Sequence, residues 1–166
     1  MKRILAGLML TVFLTGCSAQ QTVETISDIL DASSTAKLQQ IQLSLPEEAA
    51  LAALENEDDG KLYLCDEYSV AVQTMESGDL NRTLRQTTGF SKNQLTVITT
   101  QDTDFVRHDY AWSAAGEGGD QTCRGVVLDD GYYHYVVTVM ADADKAGQLS
   151  AAWEHILDSA TLVSTD

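Results

Sequence analysis

One segment, residues 123–140, restricts the fold more than any other part of the sequence. Two runs rich in β-branched and aromatic residues flank the turn sequence Asp129-Asp130-Gly131. An Asp-Gly pair between two such runs is a strong local signal for a β-hairpin. Alternate residues of the second run share one face of a strand: Tyr133, Tyr135, Val137 and Val139. The sequence therefore predicts a long hairpin over residues 123–140.

Patterns with a period of two predict further strands before this hairpin. The first lies at residues 41–45 and ends at Pro46. The sequence of residues 116–120, rich in glycine, predicts a flexible loop. The other strands are predicted over residues 61–65, 68–72, 95–99 and 105–112.

Three segments predict helices. Pro46 and the two acids after it open the first, over about residues 46–54, because proline and acids favour a helix N-terminus. Asp79 as N-cap and Gly89 as stop signal bound the second. The third, residues 144–160, carries an apolar stripe at helical spacing: Leu149, Trp153, Ile156, Leu157 and Ala160.

The chain of 166 residues has room for one domain of ordinary size, which we place at residues 40–163. Antiparallel strands with interspersed helices predict the α+β class, an antiparallel β-sheet with helices packed on its faces. Residues 17–39, rich in Ser, Thr, Gln and Ala, are interpreted as a tether. Within the tether, a short helical stripe at residues 23–30 predicts an amphipathic helix.

The N-terminus has the pattern of an export signal. Lys2 and Arg3 precede an apolar run, residues 4–14, that is too short to span a bilayer, which takes roughly 20 residues. Leu14-Thr15-Gly16-Cys17 resembles the lipobox of bacterial lipoproteins. The resemblance implies cleavage after residue 16, acylation of Cys17 by fatty acids such as palmitate, and an extracytoplasmic protein anchored in the cell membrane or outer membrane. Residues 1–16 are thus predicted to be a lipoprotein signal peptide.

Two cysteines remain after Cys17 is assigned to the lipid. An even number of cysteines outside the reducing cytosol favours a disulfide, here between Cys65 and Cys123. The alternative is two buried free thiols that act as small packing residues. The sequence contains no Cys-x-x-Cys pair, so a thiol oxidoreductase or a zinc knuckle has no support.

The charge balance excludes some partners. Ten basic residues against 25 acidic ones give a net charge of −15. Binding to nucleic acid depends on Lys and Arg contacts to phosphate, and basic patches attract anionic lipids, so both modes are disfavoured. Removal of the signal peptide takes Lys2 and Arg3 away and makes the acidic excess larger.

Three features of the predicted domain together resemble a known family. The domain opens with a Leu-x-Leu-Pro strand at residues 43–46, and an aromatic-rich strand, residues 132–137, comes near its end. A helix with a central Trp153 follows and closes as Ile156-Leu157-x-Ser159. This order is similar to the PsbP-like α/β/α sandwich of PsbP proteins, Ran-binding Mog-type proteins and DcrB-like bacterial lipoproteins. The resemblance spans about residues 40–163 and implies an accessory or binding protein without catalysis.

No motif for catalysis or cofactor binding is present, so we expect neither a cofactor nor a metal. The acids at residues 142–147 resemble the start of a calcium loop, but Ala146 and Trp153 occupy the positions that need ligands. His108 and His134 could meet across a sheet with Asp109 as a third metal ligand, although cross-strand pairing is the simpler interpretation. An envelope hydrolase or metal-dependent enzyme with a non-local site is therefore the alternative to a binding protein.

Aromatic residues offer a candidate binding face. Strand alternation leaves half of each strand pointing inward, so most of the aromatic side chains belong to the core. A face that stays open would bind a protein or small-ligand partner. The residues assigned to such a face are Tyr110, Trp112, Tyr132 and His134. We therefore expect a non-enzymatic, membrane-anchored binding or accessory module of the cell envelope.

Overall fold

A computed structural model describes residues 22–26, 37–53, 60–116 and 119–164 of the chain. The strands are β1 Thr22–Ile26, β2 Gln40–Leu45, β3 Ala50–Leu51, β4 Lys61–Leu64, β5 Ser69–Glu76, β6 Val97–Gln101, β7 Val106–Gly116, β8 Gly119–Asp129, β9 Tyr133–Asp142 and β10 Thr161–Val163. The helices are α1 Leu80–Thr88 and α2 Ala146–Ser159, and a short 3₁₀ helix spans Lys92–Gln94. None of the helices in these described ranges is long and apolar enough to cross a bilayer.

The strands form two antiparallel sheets, which confirms the predicted α+β class. The main sheet has seven strands in the order β3-β4-β5-β9-β8-β7-β6, and the small sheet has three in the order β1-β2-β10. The predicted hairpin is confirmed as β8 and β9, in which Asp129 pairs with His134 and Cys123 with Met140. Gly131 in its turn has a φ of 87°, a conformation that glycine adopts without strain.

One face of the main sheet is covered by α2 and the small sheet. We call it the α2 face; on β9 it carries Tyr133, Tyr135, Val137 and Val139, as the sequence predicted. The buried stripe of α2 consists of Trp153, Ile156 and Leu157, each at most 3% exposed. The small sheet contributes the alternating buried residues of β2. Together these elements make one apolar cluster that contains most of the core.

The opposite face, which we call the α1 face, is covered by the nine-residue helix α1. Its apolar cluster is small: Leu84, Tyr110, Val127 and Val136. Tyr110 lies over Gly125 so closely that a Cβ there would stand 2.7 Å from the ring, so this position requires glycine. The helix begins and ends as predicted, since the Asp79 side chain accepts a hydrogen bond from the Asn81 amide and Gly89 has a φ of 80°.

Three local predictions are wrong, two because another strand decides the conformation and one because adjacent strands extend into the predicted loop. Residues 22–26, within the segment interpreted as a tether with a helix, form strand β1 against β2. Ala50 and Leu51, within the helix predicted at 46–54, pair as β3 with β4. Strands β7 and β8 extend into the loop predicted at 116–120, so that Gly116 pairs with Gly119. The signal peptide, Cys17 and residues 27–36 lie outside the described residues.

Candidate binding site

The two edges of the main sheet differ in length and chemistry. Strand β3 at one edge has two residues, whereas β6 at the other has five, with the sequence Val-Ile-Thr-Thr-Gln. Strand β6 carries no charge and no proline, and four of its five residues are exposed. Natural sheets protect long edges with charges, proline or bulges, because the outward backbone N–H and C=O groups can pair with another chain. By these criteria β6 is an unprotected edge.

A groove of about 420 Å³ runs beside β6 on the α2 side of the sheet. Ile98, 63% exposed, forms its outer wall, and Leu157 of α2 lies opposite. The sheet between them supplies Asp109, Ala111 and Arg124. The groove thus combines an exposed apolar side chain with one acidic and one basic group.

Arg107 connects two of the residues that line this groove, Asp109 and Leu157. Its guanidinium donates to both carboxylate oxygens of Asp109, at 2.7–3.1 Å, and to the carbonyl oxygen of Leu157 at 2.9 Å. These bonds tie the last turn of α2 to β7. Arg124 contacts Glu154 only at 3.7 Å, and its side chain is 36% exposed. Of these two arginines, Arg124 therefore retains more capacity for a partner's acceptor groups.

A polar network occupies the α1 face beneath α1. His134 is fully buried; its Nδ1 lies 2.6 Å from Thr83 Oγ1, and its Nε2 lies 3.3 Å from Asp129 Oδ2. Ser77 Oγ donates to Asp129 Oδ1 at 3.2 Å and lies 3.4 Å from His134 Nε2. All groups are satisfied when His134 donates from Nε2 to Asp129 and accepts at Nδ1 from Thr83. The network links α1, the turn before it and the β8–β9 hairpin.

The arrangement of Ser77, His134 and Asp129 differs from a catalytic triad. In a triad, the serine and the carboxylate bond to opposite ring nitrogens, so that histidine can take the serine proton. Here both groups lie at Nε2, and the Ser77 hydroxyl donates its hydrogen bond to Asp129 and not to the histidine. Since His134 has no exposed surface, a substrate has no path to it. The geometry supports a structural role for this network.

The four residues assigned to one aromatic binding face do not share an open surface. Tyr110 is 4% exposed and His134 fully buried, so neither is available to a partner. Trp112 is half-buried and stacks on Tyr110, with ring centroids 5.4 Å apart. Tyr132 is 63% exposed but stands in the β8–β9 turn, away from Trp112. Only Trp112 and Tyr132 are therefore accessible to a partner, and they lie at separate places on the surface.

The residues considered for a metal centre, His108, His134 and Asp109, do not converge either. Within the described ranges, no three His, Cys, Asp or Glu side chains come together in a way that could hold a metal ion. His108 is bonded through Nδ1 to Thr99 Oγ1 at 2.9 Å, and β8 separates its strand from that of His134. Asp109 is the next residue of the same strand and points to the opposite face.

The predicted disulfide between Cys65 and Cys123 is wrong, since both cysteines are free. Cys65 follows β4 and Cys123 lies in β8, with β5 and β9 between them. Three strand spacings amount to about 14 Å, whereas a disulfide needs Cα atoms less than about 7 Å apart. The two thiols also lie on opposite faces, because Cys65 packs against the α2-face cluster and Cys123 pairs with Met140 on the α1 face. Burial raises the pKa of both thiols.

Sequence reasoning located strand β6 approximately but missed its position at the edge. The available signal was the run of uncharged β-branched residues, Val97 to Thr100, in a chain with many acids. The hydrogen bond from Arg107 to the Leu157 carbonyl could not be predicted from the sequence, because it joins residues far apart in the chain.

Comparison with known proteins defines the class of this chain. Residues 1–18 match the sequence family described as the prokaryotic membrane lipoprotein lipid attachment site, and Cys17 is the only cysteine in that segment. The protein is therefore a lipid-anchored membrane lipoprotein on the extracytoplasmic side. No curated protein matches the chain in sequence.

Solved structures then identify the fold as PsbP-like. Cyanobacterial PsbP (CyanoP) from Synechocystis superposes with a TM-score of 0.60 at 10% identity, over 90% of this chain and 99% of that chain. LpqN, involved in cell envelope biogenesis of Mycobacterium tuberculosis, superposes with a TM-score of 0.52 at 13% identity, over 87% and 91%. The Ran-binding protein Mog1p of Saccharomyces cerevisiae gives 0.50 at 10% identity, over 87% and 97%. The predicted family resemblance is thus confirmed at the level of the fold.

Proposed function

We propose that this lipoprotein is a non-enzymatic binding module of the cell envelope, and that it binds an extended segment of a partner protein along the edge strand β6. The partner's backbone adds a strand to the main sheet, and alternate side chains of that segment enter the groove beside Ile98. In this mode, main-chain hydrogen bonds supply affinity, and pockets for alternate side chains supply specificity.

The observation that carries this proposal is the unprotected β6 edge next to a groove. An exposed, uncharged strand of five residues favours aggregation unless a partner or another element covers it. The opposite edge of the same sheet is only two residues long and offers little for strand addition. Within the described residues, the main sheet thus presents one long edge for strand addition and has a groove on that side.

Two further points support a binding role over catalysis. The one serine, histidine and carboxylate cluster described above has the wrong hydrogen-bond order and no access for a substrate. Among the similar structures, Mog1p is a Ran-binding protein and LpqN acts in cell envelope biogenesis. We therefore favour the accessory class over the alternative of an envelope hydrolase or metal-dependent enzyme.

Site-specific photo-crosslinking of the anchored protein in its own cells tests the proposal. A benzophenone amino acid replaces Ile98 in one variant and Leu51, exposed by 59% on the β3 edge, in the matched control. We expect a discrete protein adduct from position 98 and none from position 51. The substitution Thr100→Lys, added to the variant that carries benzophenone at position 98, should abolish the adduct, because lysine on an edge strand opposes strand addition.

Two outcomes would contradict the proposal. The same adduct from positions 51 and 98 would show contact that does not depend on the β6 edge. An adduct from position 98 that survives Thr100→Lys, in a variant that melts at the same temperature as the parent, would exclude pairing along this strand.

A further inference from the structure

The register of the small sheet, combined with the position of the lipid attachment site, fixes which end of the domain lies near the membrane. The attachment site ends at residue 18, and β1 begins at Thr22. Only the four residues 18–21 separate Cys17 from this strand. A chain rises by at most about 3.6 Å per residue, so the Cα of Thr22 lies within about 18 Å of the Cα of Cys17.

Strand pairing transfers this restraint to the folded domain. Thr22 pairs with Leu45, the last residue of β2, and Ile26 pairs with Ile41. The C-terminal end of β2 and the residues after it, Pro46 to Glu48, are therefore at the anchored end. The N-terminal end of β2 is about 17 Å farther along the strand.

Contacts place the same ends on the main sheet. Ala50 pairs with Leu64, the last residue of β4, so the residues between β2 and Ala50 lie beside the start of the β4–β5 turn. At the other end, the Gln39 amide donates to the Tyr135 hydroxyl at 2.9 Å, and Gln39 Nε2 donates to Asp130 at 3.2 Å. The β8–β9 turn with Tyr132 is therefore at the end remote from the anchor.

We infer that the end formed by residues 46–48 and the β4–β5 turn faces the bilayer that carries the anchor, and that the β8–β9 turn faces away from it. Glu67 at the near end pairs with Lys145 at 3.4 Å, and the other exposed acids there, Glu47, Glu48 and Asp66, oppose insertion into an anionic surface. A layer of water therefore separates the domain from the lipid. This orientation depends on β1: without its pairing, residues 18–39 would form a leash of about 80 Å that imposes no orientation. The inference does not depend on the proposed partner site.

Energy transfer from the protein to the bilayer tests the orientation. The full-length lipidated protein, with a single clickable fluorophore at position 47 or 132, is reconstituted in phosphatidylethanolamine–phosphatidylglycerol vesicles that contain a headgroup-labelled acceptor. We expect much greater transfer from position 47 than from position 132. Equal transfer, or greater transfer from position 132, would overturn the inference.

Two variants and a matched control separate the role of β1 from other causes. Because β1 is the edge strand of the small sheet, only alternate N–H groups in it face β2. Glu24→Pro/Thr25→Pro replaces two adjacent residues of the ladder and so removes one N–H that faces β2, which should remove the difference between the two positions. Gln20→Pro/Gln21→Pro, outside the strand, is the matched control and should preserve it. Insertion of a long Gly-Ser segment between Gln21 and Thr22 lengthens the leash and leaves β1 unchanged, so it should also remove the difference. A difference that persists in Glu24→Pro/Thr25→Pro and after the insertion would show that the pairing does not set the orientation.

Discussion

The two faces of the main sheet are held by different kinds of interaction. On the α2 face, a 14-residue helix and the strands β2 and β10 pack large apolar side chains, Trp153 foremost, in one cluster. On the α1 face, a nine-residue helix brings two large apolar residues, the buried Leu84 and the partly buried Leu80, and Thr83 of the same helix contacts His134 in a polar network. Apolar burial is non-directional and scales with area, whereas buried hydrogen bonds demand geometry. The α2 face thus supplies most of the stability, and the α1 face fixes the position of one short helix.

The largest effect is expected from the α2 face. Trp153→Ala removes a side chain that is 1% exposed and should lower the free energy of unfolding by about 3–5 kcal/mol, because it leaves a cavity. Urea denaturation measures this loss. Gln148→Ala, on the exposed side of the same helix, is the control and should change stability by less than about 0.5 kcal/mol. A loss below about 1 kcal/mol for Trp153→Ala would mean that α2 does not hold the core.

A smaller loss is expected from the apolar part of the α1 face. Leu84→Ala should lower the free energy of unfolding by about 2–3 kcal/mol, at the lower end for such changes, because a short helix can move to fill the space. The same denaturation experiment applies, with the exposed Gln86→Ala as control. A loss equal to that of Trp153→Ala would remove the proposed difference between the faces.

The polar network should contribute less than Leu84. Thr83→Val keeps the shape of the side chain but leaves Nδ1 of the buried His134 without its donor, which costs about 1–2 kcal/mol. Thr83→Ser keeps the hydroxyl and should recover most of that loss. If Thr83→Val is as stable as the wild type while Thr83→Ser is destabilised, then the methyl group, and not the hydrogen bond, is what α1 contributes at this position.

The α1 face should also respond to pH, by a smaller amount. Burial lowers the pKa of His108 from its ordinary value of 6.5. The unfolded chain therefore takes up a proton at higher pH than the folded one, and stability falls as the pH drops through 6.5 toward the folded pKa. Urea midpoints above and below pH 6.5 should show a weaker pH dependence for His108→Asn than for the wild type or the exposed His155→Asn. An unchanged pH dependence in His108→Asn would contradict this assignment.

No effect at all is expected from reduction of the protein. Because Cys65 and Cys123 lie on opposite faces and are free, dithiothreitol should leave the melting temperature of the domain unchanged. Alkylation of the native protein should modify the half-buried Cys65 before Cys123, which is 2% exposed. A decrease in melting temperature on reduction would indicate a bridge and would contradict the strand order described here.

Local signals in the sequence determined the elements whose cause lies within a few residues. The turn at Asp129-Asp130-Gly131 defined the β8–β9 hairpin, and Asp79 and Gly89 defined the ends of α1. The helical spacing of Trp153, Ile156 and Leu157 identified the buried side of α2. Turn chemistry, capping and periodicity act over short distances, so they can be recognised in one sequence. The lipid attachment site can be recognised for the same reason, since its residues are contiguous.

Only the tertiary structure decided how these elements are arranged. Residues 46–51 carry proline and acids suited to a helix start, yet Ala50 and Leu51 form a strand that pairs with the edge of β4. The order of strands in the main sheet places two strands between Cys65 and Cys123, exposes the edge of β6 and buries His134 against Thr83. Strand order depends on packing between residues far apart in the chain. The backbone of an edge strand can form hydrogen bonds with any neighbouring strand, so no local pattern of residues predicts which strands become neighbours.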